Sequence, residues 1–407
     1  MASTYLYFQP EYVSRFKCDG SKCGAHCCGH WHVVIDAKTY EKYSRLDGII
    51  EHLNPLGKAH VINMDENGHC PFLTADNLCS IQREHGEDFL SDTCTTYPRY
   101  TKGFGKFFER SLSMTCPVAA QTALFSDEPM RFEFVEVPEE IHSHGGKIGI
   151  ANVESTEGFA EHMLEVQVAL ISIMQERTLT IDQRLIVMGF FCDRLGEIIG
   201  DGKFTAAQVP ILIDNLNRLI ETYESKKFFA RQVPRMLASV RFDEKKFVRL
   251  ILTLFNEIYS NSSRQGRFLN AVSDTLGLNP DENNFVSIRA VSDNFARLAD
   301  ERKIFAERYA AFLENYFVND LFLNCYPWRF TESIANNFTV FVTTCKIFEL
   351  IAFSLVHMGL DDEDTLIKFV GWFTTQTTHS VDVHPKIFHV VKKFDDPFEL
   401  MGTLLEQ

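Results

Sequence analysis

Eleven cysteines are unevenly spread over 407 residues. Eight fall in the first 116, and four of these, Cys18, Cys23, Cys27 and Cys28, share one stretch of eleven. Cys70, Cys79, Cys94 and Cys116 follow at wide intervals. Thiolates ligate soft and borderline metals, and four of them satisfy either zinc or an iron–sulfur cluster. The first four follow C-x4-C-x3-C-C, with none of the paired C-x2-C hairpins of zinc knuckles. Adjacent Cys27 and Cys28 cannot easily turn toward one small ion. A cube-shaped cluster is larger and accepts ligands from scattered loops, so a [4Fe-4S] cluster is preferred and zinc is the second choice. The candidate ligands are Cys18, Cys23, Cys27, Cys28, Cys70, Cys79 and Cys94, of which a cluster uses a subset. Cys116 precedes Pro117 at an expected helix start, where the helix dipole favours a thiolate. His26, His30, His32, His69 and His85 lie among the cysteines and are read as ordinary surface or hydrogen-bonding groups.

The elements around these thiols are short. Turn signals are dense at Asn67-Gly68, Asp76-Asn77 and Gly103-Phe104-Gly105. Trp31–Ile35, Val61–Ile62 and Phe107–Leu112 read as strands, and Asp36 as the cap of a helix through Tyr43. A module with so little core gains from a metal staple. From about residue 157 the pattern becomes helical: Met163, Val166, Leu170 and Met174 recur at helical spacing. Thr180-Ile-Asp-Gln183 is a capping box ahead of a helix ending at Gly200, and Thr205-Ala-Ala-Gln208 is a second before Ile211–Tyr223. Further helices are expected near 243–260, 284–318, 331–358 and 362–374. The expected fold is mainly α, with a small irregular α+β cysteine-rich module over 1–126. An acidic connector over 127–156 then leads to an all-α body over 157–407.

The net charge of −15 argues against nucleic acid, whose phosphates need a basic surface. Residues 127–170 carry ten acids against Arg131 and Lys147. This run is a solvated face, or an attractive rim for a lysine-bearing partner. No secretory signal is visible and no apolar run is expected to span a bilayer, so the chain is expected to work in the cytoplasm, away from membranes.

Cys23-x3-Cys27-Cys28, Cys70-Pro-Phe-Leu73, Leu78-Cys79-x-Ile81 and Thr93-Cys94-x-x-Tyr97-Pro-Arg99 resemble zinc- or iron-chelating cysteine modules. A longer pattern narrows the resemblance. Tyr12-x3-Phe16-x-Cys18, Gly86-Glu87-x-x-Leu90-Ser91-x-Thr93-Cys94 and Glu314-Asn315-Tyr316-x-x-Asn319-x-x-Phe322 with Tyr326-Pro327 look like bacterial flagellin lysine-N-methyltransferases. One departure is local: Gln82 stands where that family often has histidine. The resemblance implies methyl transfer from S-adenosylmethionine to surface lysines of flagellin, and an iron–sulfur cluster in the N-terminal module.

Lysine methylation needs a neutral amine, a methyl sulfonium and an in-line approach. The amine starts near pKa ~10.4, so a site must desolvate it or take its proton. Tyr316, Asn315, Asn319 and Glu314 are the catalytic candidates, with Asn315 and Asn319 on one helix face. Tyr97 and Arg99, beside Cys94, are the cofactor-binding candidates. No usual donor motif is present: Gly103-Phe-Gly105 neither follows a clear strand nor opens a helix. An open iron holding the donor's amino-acid end is one arrangement, and a four-cysteine structural cluster is the other. The competing reading of the whole chain is a metal-stapled flagellin adaptor or chaperone without catalysis.

Overall fold

The computed structural model describes residues 4–406 apart from 24–25, 30–32, 105–106, 139–158, 201–206, 260–265, 279–285, 329–332, 379–381 and 395. The chain divides into two compact units. One comprises Met1–Ala123 with Met130–Gly149, and the other Leu124–Pro129 with Ile150–Gln407.

The first unit holds two small sheets. Strands β1 (Thr4–Pro10), β5 (Arg99–Phe104), β6 (Phe107–Leu112) and β7 (Phe132–Pro138) form a four-stranded sheet in the order β5-β6-β1-β7. β1 runs parallel to β6 and antiparallel to β7. β2 (Val34–Ile35), β3 (Leu53–Leu56) and β4 (Ala59–Ile62) form the second sheet, antiparallel in the order β2-β4-β3. β7 lies in the stretch expected as an acidic connector, the remainder of which, 139–156, is outside the described residues. Alternation sends Glu136 to the exposed face with Phe134, and Val137 to the buried face, where half-buried Glu133 accepts from Gln9 at 3.2 Å. Gly103 and Phe104 end β5, where Phe104 pairs with Phe107 of β6; Gly105 lies outside the described residues. Trp31 and His32 of the expected first strand, and His30, are likewise undescribed. Asp36 caps Ala37–Tyr43 as expected, accepting the Thr39 N–H at 2.9 Å. Asn77 (φ 59°) and Gly68 (φ 80°) take the left-handed conformations that their turns demand.

The second unit is all helix among its described residues. The Thr180 capping box is present, and the helix it opens, Ile181–Ile199, ends at Gly200 with φ 57°. Thr205 of the second box is undescribed, and the helix after it, Val209–Glu224, starts at Gln208 without a side-chain cap. The stretch expected as one helix over 284–318 is broken into Ile288–Arg297, Ala299–Arg308 and Ala310–Leu323. The breaks fall at Leu298 (ψ 8°) and Tyr309 (ψ 14°), where the chain visits the bridge region with no glycine or proline to announce it. Gly266–Leu276 was not foreseen as a helix.

Ile334–His357 is the axis of this unit. It packs against Ile181–Ile199, Gly266–Leu276, Val383–Val391 and Pro397–Leu404. Contrary to expectation, this helix is long and apolar enough to cross a bilayer, but 89% of its most apolar window is buried inside the unit. Apolar on all sides, it is what the core of a large helical body demands. Phe348, at its centre, stacks on Tyr316 with centroids 3.8 Å apart and also meets Phe312, Phe317, Phe369 and Phe373. Of the chain's 36 phenylalanines, sixteen are buried among the described residues, these five included.

Candidate functional site: a thiol neighbourhood and a charged cavity

All eleven cysteines are free thiols. In the first unit Cys28, Cys79 and Cys94 pack against the core that contains Cys70, Ile35, Tyr43 and Phe72. Short elements bring them there. The Cys70 N–H donates to the Cys28 carbonyl at 2.7 Å, a bridge pairs Leu73 with Cys79, and Ser91 caps the turn carrying Cys94 through the Cys94 N–H at 3.2 Å. Burial pushes the Cys70 thiol up to about 12, with neighbouring Cys94, Cys79 and Cys27 adding to the rise. Burial likewise pushes Cys94 up to about 11. Cys27 Sγ lies 3.7 Å from Cys28 Sγ; that contact draws Cys27 down to about 7 and drives Cys28 up.

Burial raises the Cys116 thiol to about 11 despite the N–H groups of Ala119 and Val118, and the thiols of Cys23 and Cys18 add to that rise. The dipole expected to favour a Cys116 thiolate is therefore outweighed by desolvation. Burial raises the Tyr97 hydroxyl, the thiols of Cys116, Cys27 and Cys23 add to that, and it bonds Thr115 at 3.0 Å. The Arg99 guanidinium lies over the Phe16 ring at 5.4 Å. Among the described residues no three His, Cys, Asp or Glu side chains form a site for a metal ion. The donor set itself, four soft thiols around one core, suits a multi-atom iron–sulfur cluster, whose sulfur ligands stand further apart than those of a single ion.

The four catalytic candidates occupy one buried helix, Ala310–Leu323. Glu314, 1% exposed, accepts from Arg177 at 2.8 Å and from Arg184 at 2.8 Å. Asn315 Nδ2 donates to the Ser126 carbonyl at 2.9 Å, tying the helix to the preceding segment. The Tyr316 hydroxyl, raised well above its ordinary value by burial, lies against Thr374 and Thr377. Asn319 is buried one turn beyond Asn315.

None of these four lines a cavity of about 910 Å³ in the helical unit. Glu314 reaches it through Arg177 and Arg184, which do line it. Further lining groups include Thr180 and Asp182, from the capping box and the helix it opens, and Phe242, Phe247, Phe295, Arg302, Lys346 and Glu349 from later segments that the sequence did not single out. Lys346 is 8% exposed, and its ammonium lies 2.8 Å from Asp182 Oδ1 and 2.7 Å from Glu349 Oε2. Burial opposes that charge, but the two carboxylates outweigh it and hold the ammonium protonated. A lysine in the middle of an apolar helix is the signal that sequence alone offered here.

The fold and these two features define a mainly α protein with a thiol-rich α+β unit and a charged, aromatic-lined cavity in its helical unit. Residues 167–405 match the family described as FliB lysine N-methylase C-terminal domain, and the chain belongs to that family. Similar proteins include a lysine-N-methylase of Salmonella typhimurium strain LT2, 31% identical over 135 residues, or 30% of this chain and 33% of the relative. The flagellar biosynthetic protein FliU of Salmonella muenchen is 30% identical over 136 residues, 30% of this chain and 79% of the relative. The chain thus matches about a third of the length of the lysine-N-methylase. No solved structure matches.

Proposed function

We propose that the protein is an S-adenosylmethionine-dependent protein-lysine N-methyltransferase acting on flagellin in the cytoplasm. The observation that carries this reading is the cavity: apart from Glu406, every residue lining it lies within the span matched by the lysine N-methylase family. The name of the Salmonella muenchen relative supports the flagellar setting. In the reaction the lysine Nζ lone pair attacks the sulfonium methyl. The N–C bond forms as the C–S bond breaks, S-adenosylhomocysteine departs and the ammonium proton is lost to a base. Alignment in a dry cavity supplies most of the rate. Glu314 supports the wall of that cavity by fixing Arg177 and Arg184.

Cys28, Cys70, Cys79 and Cys94 would hold a [4Fe-4S] cluster, with Cys27 adjoining and Cys18 and Cys23 outside the ligand set. When bound, that cluster would staple a unit whose elements are otherwise short. The test is intact-mass spectrometry of unmethylated flagellin after incubation with anaerobically purified protein and S-adenosylmethionine. Methyl-sized increments are expected. An unchanged mass, with the iron retained and donor present, would leave a binding adaptor in place of an enzyme.

A further inference from the structure

Two features of the cavity point to a particular ligand chemistry. On one side Phe242, Phe247 and Phe295 form a cluster of rings, with Phe242–Phe247 centroids 5.7 Å and Phe247–Phe295 centroids 4.7 Å apart. The Arg302 guanidinium stacks 3.5 Å over the Phe295 ring and pairs with Glu406 at 2.6 Å. On the other side lies a charged floor. Asp182 and Glu349 bracket the Lys346 ammonium, and Asp182 also accepts the Glu406 N–H at 2.7 Å. Each carboxylate keeps acceptor capacity beyond its bond to Lys346.

A volume of about 910 Å³ suits a ligand of nucleoside size or larger. The ring cluster suits a flat heteroaromatic base. The floor presents both signs of charge side by side, which suits a zwitterion with an ammonium for Glu349 and Asp182 and a carboxylate for Lys346 and Arg302. At the floor a polyphosphate would instead meet two carboxylates, and Arg177 and Arg184, which also line the cavity, are already paired with Glu314. A sulfonium placed between floor and rings would gain from both the acids and the aromatic faces.

We infer that this cavity is the methyl-donor site: it takes an adenosyl amino acid, with the base on the Phe242–Phe247–Phe295 cluster and the amino-acid end on the Asp182–Lys346–Glu349 floor. This rests on the methyltransferase reading and deepens it, because it puts the donor in the helical unit and not among the thiols. Lysine substrate would then approach a methyl group already held.

The test is equilibrium dialysis of the full-length, anaerobically purified protein with radiolabelled S-adenosylhomocysteine, which binds without turning over. Phe242→Ala and Glu349→Gln, each checked for an unchanged unfolding midpoint, are expected to weaken binding about tenfold or more. Lys368→Gln, on the surface of the helical unit and outside the cavity, is expected to bind like the parent. Unlabelled S-adenosylmethionine should compete and ATP should not. Parent-like binding by Phe242→Ala and Glu349→Gln would overturn the inference while leaving the methyltransferase reading intact. Equal competition by ATP would overturn the assignment of the floor to the amino-acid end. Absence of any binding by the parent protein would sink both readings together.

Discussion

Glu314 holds two guanidinium groups from a position with almost no access to water, and it does so from within the motif that first suggested chemistry. Removing one partner of a buried pair leaves the others uncompensated, which typically costs about 3–5 kcal/mol. Glu314→Ala is therefore expected to lower the stability of the helical unit by about 3 kcal/mol or more in urea unfolding, since Arg184 is nearly as buried as Glu314 itself. A loss below about 1 kcal/mol would mean that water replaces the carboxylate. Glu109 offers a second test, in the other unit. It is fully buried opposite Lys102 at 3.1 Å, with Oε1 lacking a partner, and burial pushes its carboxyl up to about 7. A folded value above the ordinary 4.5 means that this group's contribution is present below about pH 4.5 and is lost as pH rises through about 7. Relative to Glu109→Gln, the parent should thus lose about 3 kcal/mol of stability across that window. A pH-independent difference would contradict the assignment. The motif around residues 314–319 was legible as something built, because polar residues at helical spacing rarely enter an apolar helix without partners. Which partners they had was not legible, since Arg177 and Arg184 lie more than a hundred residues away.

Among the elements, close approach decides more than propensity. Gly402, in the helix Pro397–Leu404, has the Arg241 carbonyl where a Cβ would sit, at 2.8 Å, and its own carbonyl accepts the Asp243 N–H at 2.8 Å. Backbone against backbone cannot give way as a side chain would. Gly402→Ala should therefore destabilise by about 1–3 kcal/mol, read as a lower unfolding temperature, and disturb the Arg241–Phe242 edge of the cavity. An unchanged midpoint would show that the helix can shift. The helix starts were readable where chemistry marked them, at Asp36 and Thr180, because a side-chain oxygen there replaces a missing backbone partner. The breaks at Leu298 and Tyr309 carried no such mark. β7 was hidden by its acids, because a strand with one solvated face reads as a charged linker.

For the molecule as a whole, the mainly α class and the contrast between a thiol-rich start and a helical remainder could be read from composition and period. That thiols from separate segments gather was partly readable: Cys70 lies in the core against which Cys28, Cys79 and Cys94 pack, whereas Cys18 and Cys23 act electrostatically on Cys116. Iron analysis of anaerobic protein should thus separate them. Cys70→Ser is expected to lose most bound iron, while Cys192→Ala, buried in the other unit, should keep it. Equal iron in both would remove Cys70 from the ligand set. The cavity was not readable at all. Its walls come from segments near 177–184, 241–247, 295–307, 346–353 and 404–406, and only the folded chain brings them together.

The most direct measurement supplies S-adenosylmethionine with a deuterated methyl group and locates the label on flagellin by fragment mass spectrometry. The account predicts deuterated methyl groups on lysine Nζ, with S-adenosylhomocysteine formed in equal amount. Label on another residue type, or none on flagellin while the protein retains its iron and binds donor, would contradict it.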